Sequence, residues 1–356
     1  MIFKALDFFW GLIFFKGGNI MGWLPPGLQI DDNYRYLSIT YNGTATTSLQ
    51  MGLIMSGNTP LSWKKPRRAS MEIPYMNGTV DLSWQHGSLL FEDRELTYAF
   101  ASYIPRYESD SLSDVNHRCD AQEESIRYWL EHSDNGYLYD SGAGTYYNFK
   151  PTGIKVEKSF SQDFWIMAVE LKLKVSPTMT PNRSTYPAAA DIKTALEVLE
   201  DGSEIFKGRS FSFNNKDAYE DFNLYISGKT HLAPPQIKYI EKEMPYVDGT
   251  YNLGKYYGDT VFELDAYFFL ENEGSRNEMN SKCQAAVEKV VDWIYSAVTT
   301  DTYNGISMRG CTIFSDSAMG TFHLARCTGM NISKMIYEPL WIIVYQMQFT
   351  TYPRLQ

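Results

Sequence analysis

Glu72-Ile-Pro-Tyr-Met-Asn-Gly-Thr-Val-Asp-Leu82 and Glu243-Met-Pro-Tyr-Val-Asp-Gly-Thr-Tyr-Asn-Leu253 are one phrase written twice, 171 residues apart. Each holds a strong hairpin-turn signal, Asn77-Gly78 and Asp248-Gly249, because Gly accepts positive φ and Asn or Asp tolerates it. The correspondence runs without a gap from Leu53–Phe91 to Leu224–Phe262, and 13 of these 39 positions are identical. Composition alone accounts for about two or three, so the chain contains an internal repeat.

The repeat resumes downstream at shifted offsets. Asn116, Cys119, Ala121, Glu124 and Trp129 answer to Asn280, Cys283, Ala285, Glu288 and Trp293. DSGAGTYYNFKPTG (140–153) answers to DSAMGTFHLARCTG (316–329), Trp165-Ile166 to Trp341-Ile342, and Pro177 to Pro353. The order is kept throughout, so a whole domain is duplicated. Pro74, Tyr75, Gly78, Trp129 and Trp165, with Pro245, Tyr246, Gly249, Trp293 and Trp341, form the structural signature of the repeat.

Each copy reads as strands around one helix. Opening strands are expected at Ile39–Asn42 and Gln50–Met55, and at Phe211–Asn214 and Asp221–Ile226. Val115, Cys119, Gln122, Ile126 and Trp129-Leu130 fall on one helical face, as do Met279, Cys283, Ala286-Val287, Val290 and Trp293-Ile294. Ser275-Arg-Asn-Glu278 is a capping box at the start of the second helix. Trp165–Val175 and Trp341–Thr351 read as half-buried closing strands, with Met167, Val169, Leu171 and Leu173 on one face. The fold class is therefore β-rich α+β: two tandem β-sandwich or tube-like domains, each with a bracing α-helix and a β-hairpin. The boundaries are 21–177 and 209–356, with a linker at 178–208 that includes a short helix candidate at Ala188–Leu199.

Residues 1–20 stand apart. The run Phe8–Phe15 (FFWGLIFF) is too short to span a bilayer, so no membrane anchor is expected. Lys4 ahead of it allows a signal peptide, but no small-residue cleavage site follows. Back-translation of Lys16-Gly17-Gly18-Asn19-Ile20-Met21 accommodates AAGGAGG shortly before ATG, a ribosome-binding site. Translation of the native protein is thus expected to start at Met21.

The 356 residues are 44% hydrophobic and 21% charged, enough apolar content to build cores, and the net charge is −10. A sequence pI near 5.1 argues against a nucleic-acid-gripping domain. The one basic cluster, Lys64-Lys65-Pro66-Arg67-Arg68, reads as a solvated loop. Cys119, Cys283, Cys311 and Cys327 form no C-x-x-C pair; the two on helical faces read as small buried apolar residues. The five histidines make no zinc motif, and no nucleophile elbow, P-loop or dinucleotide fingerprint occurs. No catalytic residue, cofactor or metal site is expected, and enzyme activity is not.

The ordered pattern resembles the N-terminal domain of the phage distal tail protein (Dit) family. FNNKDAYEDFNL (213–224) precedes a Pro-rich link, the I-P-x-x-[ND]-G element follows, then a Phe91-Glu-Asp-Arg94-Glu-Leu96 strand, a helix, a polar hairpin and a final strand ending near Pro. The second copy departs in having Asp265 aligned with Arg94. The resemblance implies a virion protein of the tail tip, assembled in the host cytoplasm, whose domains form a ring around a channel. That ring joins the tail tube to the baseplate hub or fibre and passes DNA without binding it specifically. Two domains per chain make a three-chain pseudo-hexameric ring the favoured assembly, with six chains in stacked or nested rings as the alternative. A carbohydrate-binding receptor-recognition protein of the tail tip, or a tail tube or hub protein of related fold, is the competing function.

Overall fold

The structure is a computed structural model. It describes residues 39–41, 44–45, 53–55, 59–72, 79–83, 89–105, 107–131, 137–140, 145–160, 164–176, 186–190, 205–206, 209–233, 237–243, 250–296, 301–303, 306–308, 312–317, 320–337 and 339–351. The expectations for residues 1–20, for Pro177 and Pro353, for the bulk of the Ala188–Leu199 helix and for Pro74, Tyr75, Gly78, Pro245, Tyr246 and Gly249 lie outside the described residues.

The fold is β-rich, built from antiparallel sheets with few helices. In the first half the elements are β1 (Ile39–Tyr41), β2 (Thr44–Ala45), β3 (Ile54–Met55), β4 (Ser70–Glu72), β5 (Thr79–Asp81), β6 (Arg94–Pro105), α1 (Leu112–Glu131), β7 (Tyr137–Asp140), β8 (Thr145–Phe160) and β9 (Phe164–Val175). In the second half they are β10 (Ile205–Phe206), β11 (Phe211–Phe213), β12 (Lys216–Asp217), α2 (Ala218–Phe222), β13 (Tyr225–Ala233), β14 (Ile237–Glu243), β15 (Thr250–Tyr257), β16 (Thr260–Glu271), α3 (Arg276–Tyr295), β17 (Asp301–Tyr303), β18 (Ile306–Met308), β19 (Thr312–Asp316), β20 (Gly320–Ile336) and β21 (Leu340–Thr351).

One sheet runs β2-β1-β7-β8-β9-β6-β3. The other, read from its far edge, runs β12-β11-β19-β20-β21-β16-β13 and adds β10. Element for element, the neighbours are the same. β4 with β5, β14 with β15, and β17 with β18 form two-stranded ribbons outside these sheets.

Two devices recur at matching places. In β8 the ladder to β9 shifts register between Pro151 and Gly153; in β20 the ladder to β21 shifts between Cys327 and Gly329. A bulge leaves one residue unpaired and sharpens the local twist. The extra residue is a threonine both times, and its hydroxyl donates to the carbonyl of the facing strand: Thr152 to Lys172 at 3.0 Å, Thr328 to Gln348 at 3.3 Å. Each long strand thereby serves two partners, β7 then β9 in one sheet and β19 then β21 in the other.

Both long helices open with a reciprocal cap. Ser275 N–H donates to the Glu278 carboxylate (2.9 Å) while Glu278 N–H donates to Ser275 Oγ (3.3 Å), as the sequence predicts. Ser111 and Asp114 do the same ahead of α1. The apolar faces are as expected: Val115, Cys119, Ile126 and Leu130 are buried in α1, and Met279, Cys283, Ala286, Val287, Val290, Trp293 and Ile294 in α3.

The structure departs from expectation at Asp221–Ile226. The short helix α2 reaches Phe222 and the strand starts only at Tyr225. Asp217 caps α2 by accepting from Tyr219 and Glu220 N–H, and Asn223 closes it in the left-handed region (φ 50°). Before it, Asn214 and Asn215 (φ 51° and 59°) make the two-residue turn that pairs β11 with β12.

Two compact units emerge. One comprises residues 1–62, 93–185 and 273–285; the other 63–92, 186–272 and 286–356. In the first unit Leu96, Tyr98 and Phe100 of β6, Met167, Val169, Leu171 and Leu173 of β9, and Ile126 and Leu130 of α1 form the core. In the second, Trp293 stacks between Phe222 (4.5 Å between centroids) and Phe211 (5.5 Å). Phe262, Phe314 and Phe349 extend that aromatic cluster.

Candidate functional site

The sheet register corrects one sequence alignment. Arg94 pairs with Val175, and Thr260 with Thr351. Val175 and Thr351 are equivalents, spaced like Trp165 and Trp341, so Thr260 is the counterpart of Arg94, and Asp265 is not. The alternation of buried side chains pins this register, since a slip of one residue would turn Phe262 and Leu264 outward.

Four signature tryptophans can be placed. Trp129 packs half-buried against the first core. Trp293 is buried and its Nε1 donates to the Phe213 carbonyl at 2.7 Å. Trp341 is fully buried, its Nε1 donating to Asn272 Oδ1 at 3.1 Å. Trp165 holds the matching place in β9, opposite Ile104 and Phe160. Trp129, Trp293 and Trp341 are anchors of packing.

A shared site of another kind was not legible in sequence. Asp140 and Asp316, the Asp of the two D-S-x-x-G-T phrases, are both buried. Asp140 accepts a 2.6 Å hydrogen bond from the Tyr98 hydroxyl. Burial first, then the Asp140 charge, pushes the Tyr98 hydroxyl well above its ordinary pKa. Asp316 instead faces the Arg209 guanidinium at 3.3 Å, which also donates to the Ser227 carbonyl at 2.5 Å. One repeat position keeps a buried carboxylate and satisfies it in two chemically different ways.

The solvent faces of the sheets differ in charge. In the first unit lysines and carboxylates alternate, as in Lys155–Glu157 (2.6 Å) and Lys172–Glu170 (3.3 Å). In the second a shallow groove of about 540 Å³ is lined by Glu263, Asp265, Asn331, Gln346 and Gln348 with Gly329, Met330 and Met347, and by no lysine or arginine. Gln348 donates to Glu263 (3.0 Å) and Asn331 to Gln346 (3.1 Å). This is a sheet face of carboxylates and carboxamides.

The basic cluster is solvated only in part: Lys65 and Arg67 are exposed, whereas Lys64 and Arg68 are half-buried. Lys64 pairs with Asp292 at 2.5 Å and sits 4.9 Å over the Phe91 ring. Arg68 donates to the Cys327 carbonyl and lies over Tyr295. Among the described residues no group of His, Cys, Asp and Glu is arranged to hold a metal ion, and no helix is long and apolar enough to cross a membrane.

No family model matches the chain, and no curated protein does. Among solved structures, the chain is similar to the Dit protein (gp 19.1) of phage SPP1, described as a paradigm of the hub adsorption apparatus in phages infecting Gram-positive hosts. That match has 10% identity and a TM-score of 0.29, covering 88% of this chain and 99% of that one. It is too loose to fix a shared fold or role.

Proposed function

We propose that this chain is a tandem duplication of one β-rich domain that serves as a non-catalytic structural component of a phage tail tip. Three chains close a ring of six domains, which joins the tail tube to the host-binding hub or fibre while DNA passes through its centre. The observation that carries this reading is the common strand order of the two sheets, accompanied in each half of the chain by one long helix and, at the repeated phrase, a two-stranded ribbon. It is coupled to the sequence pattern that resembles the distal tail family. Two like domains on one chain supply a heterologous interface, which closes when the rotations sum to a full turn.

The polar groove of the second sheet supports a conduit. DNA adheres through phosphates neutralised by Lys and Arg, and Glu263 and Asp265 among carboxamides offer it neither. Negative-stain imaging of the purified full-length chain tests the proposal. Six-lobed rings with the mass of three chains are expected; a monodisperse monomer at high concentration would overturn it.

A further inference from the structure

We infer that the β14–β15 ribbon is an arm donated to helix α1 of a second copy of this chain. The inference deepens the ring reading and rests on it only in requiring self-association.

The ribbons β4–β5 and β14–β15 are the same repeat element. Glu72 pairs with Thr79 and Glu243 with Thr250, each 171 residues apart. The first arm, residues 63–92, belongs to the compact unit that contains the second sheet. There it lies along α3 through Lys64–Asp292, Arg68 over Tyr295 and Phe91 edge-on to Tyr295. At its root, Gln284 of α3 accepts from Ser62 N–H (3.1 Å) and donates to the Ser62 carbonyl (2.7 Å).

The second arm is barer than the first at two matched positions, although the first also exposes Met71 (48%). Arg68 and Leu82 are half-buried and Ser83 is buried. Their counterparts Tyr239 and Leu253 are 55% and 58% exposed, and Ile237 beside them 47%. A ribbon displaying a tyrosine, a leucine and an isoleucine is not built for water alone.

The acceptor shows the inverse. Gln284, Ala285, Val291 and Tyr295 of α3 are buried. The matching positions of α1, Asp120, Ala121, Arg127 and Glu131, are all exposed, Asp120 and Arg127 held in ion pairs with Lys158 and Glu123, and Tyr128 is 63% exposed, as its counterpart Asp292 is exposed too. One chain thus makes one arm-to-helix contact and exposes both halves of another. A surface and its complement displayed on one molecule define a head-to-tail contact between copies.

The test uses the full-length chain. Tyr239→Glu with Leu253→Glu should reduce the wild-type oligomer to monomer by mass photometry, with unchanged circular dichroism. Independently, Tyr239→Cys with Glu131→Cys, treated with a short bismaleimide, should give covalent multimers on denaturing gels that neither single variant gives. Wild-type rings that survive the glutamates and give no multimer would overturn the arm while leaving the ring reading intact. A cross-link confined to single chains would also overturn it. Cross-linked multimers without rings would retain the arm and sink the ring.

Discussion

Arg209→Met should be among the most damaging single changes available in the second unit. The arginine is 9% exposed, its partner Asp316 is 2% exposed, and β11 and β19 pair at Asp316 itself. Removing the guanidinium leaves a carboxylate in the interior without its countercharge and removes a donor from the Ser227 carbonyl. Breaking one side of a buried pair costs about 3–5 kcal/mol. For a unit of this size each kcal/mol moves Tm by roughly 2–4 °C, so a fall of about 6–20 °C is expected by differential scanning calorimetry. The double variant Arg209→Met, Asp316→Leu removes both charges together and should recover most of the loss, because an apolar replacement of a buried pair is often neutral. A single variant within about 2 °C of wild type would refute the assignment, as would a double variant at the sum of two large losses, for residues in one buried pair do not add.

Other outcomes follow from the same structure. Tyr98→Phe leaves buried Asp140 short of one donor and should cost about 1.5–3 kcal/mol by denaturant titration, less than Arg209→Met. Burial raises the Asp217 carboxyl, but hydrogen bonds from Ser210, Glu220, Tyr219 and Ser212 outweigh it and hold the pKa below its ordinary 3.8. Its stabilising contribution is therefore complete above that ordinary value and disappears as pH falls through the lower folded one; Asp217→Ala should lose about 1 kcal/mol at neutral pH and flatten the acid limb of a stability titration. Cys119, Cys283 and Cys327 are buried, and burial lifts the Cys327 thiol to about 11, so a thiol reagent should label none of the three until the protein is denatured. Gly320 sits at φ +89°, where a side chain is strained, so Gly320→Ala should cost about 1–3 kcal/mol by the same titration.

The long elements were legible because burial on one face writes a period into the sequence. β9 and β21 fall within a residue of the stretches expected, and the faces of α1 and α3 follow the apolar spacing. Repetition told less at the joints. Thr152-Gly153 and Thr328-Gly329 matched as letters, yet only strand pairing reveals them as bulges whose threonines bond across the ladder. Arg94 and Asp265 aligned because five residues dropped between ribbon and strand leave no local trace. The cluster Lys64–Arg68 looked solvated because a charge's partner two hundred residues away has no local signature. The arm and its acceptor were invisible for the same reason: exposure is a property of what covers a residue.

The ion pair between Lys64 and Asp292 also sets a fidelity rule. In the second arm the residue in Lys64's place is Pro235, and on α1 the residue in Asp292's place is Tyr128. An arm seated on the wrong helix therefore forfeits this part-exposed ion pair, a loss of about 0–1 kcal/mol. Discrimination between the two helices is then a difference of affinities, set by the contact that the correct partner adds. Identical subunits carry one lock and one key. A fused pair carries two of each, free to drift apart until neither key turns in the other's lock.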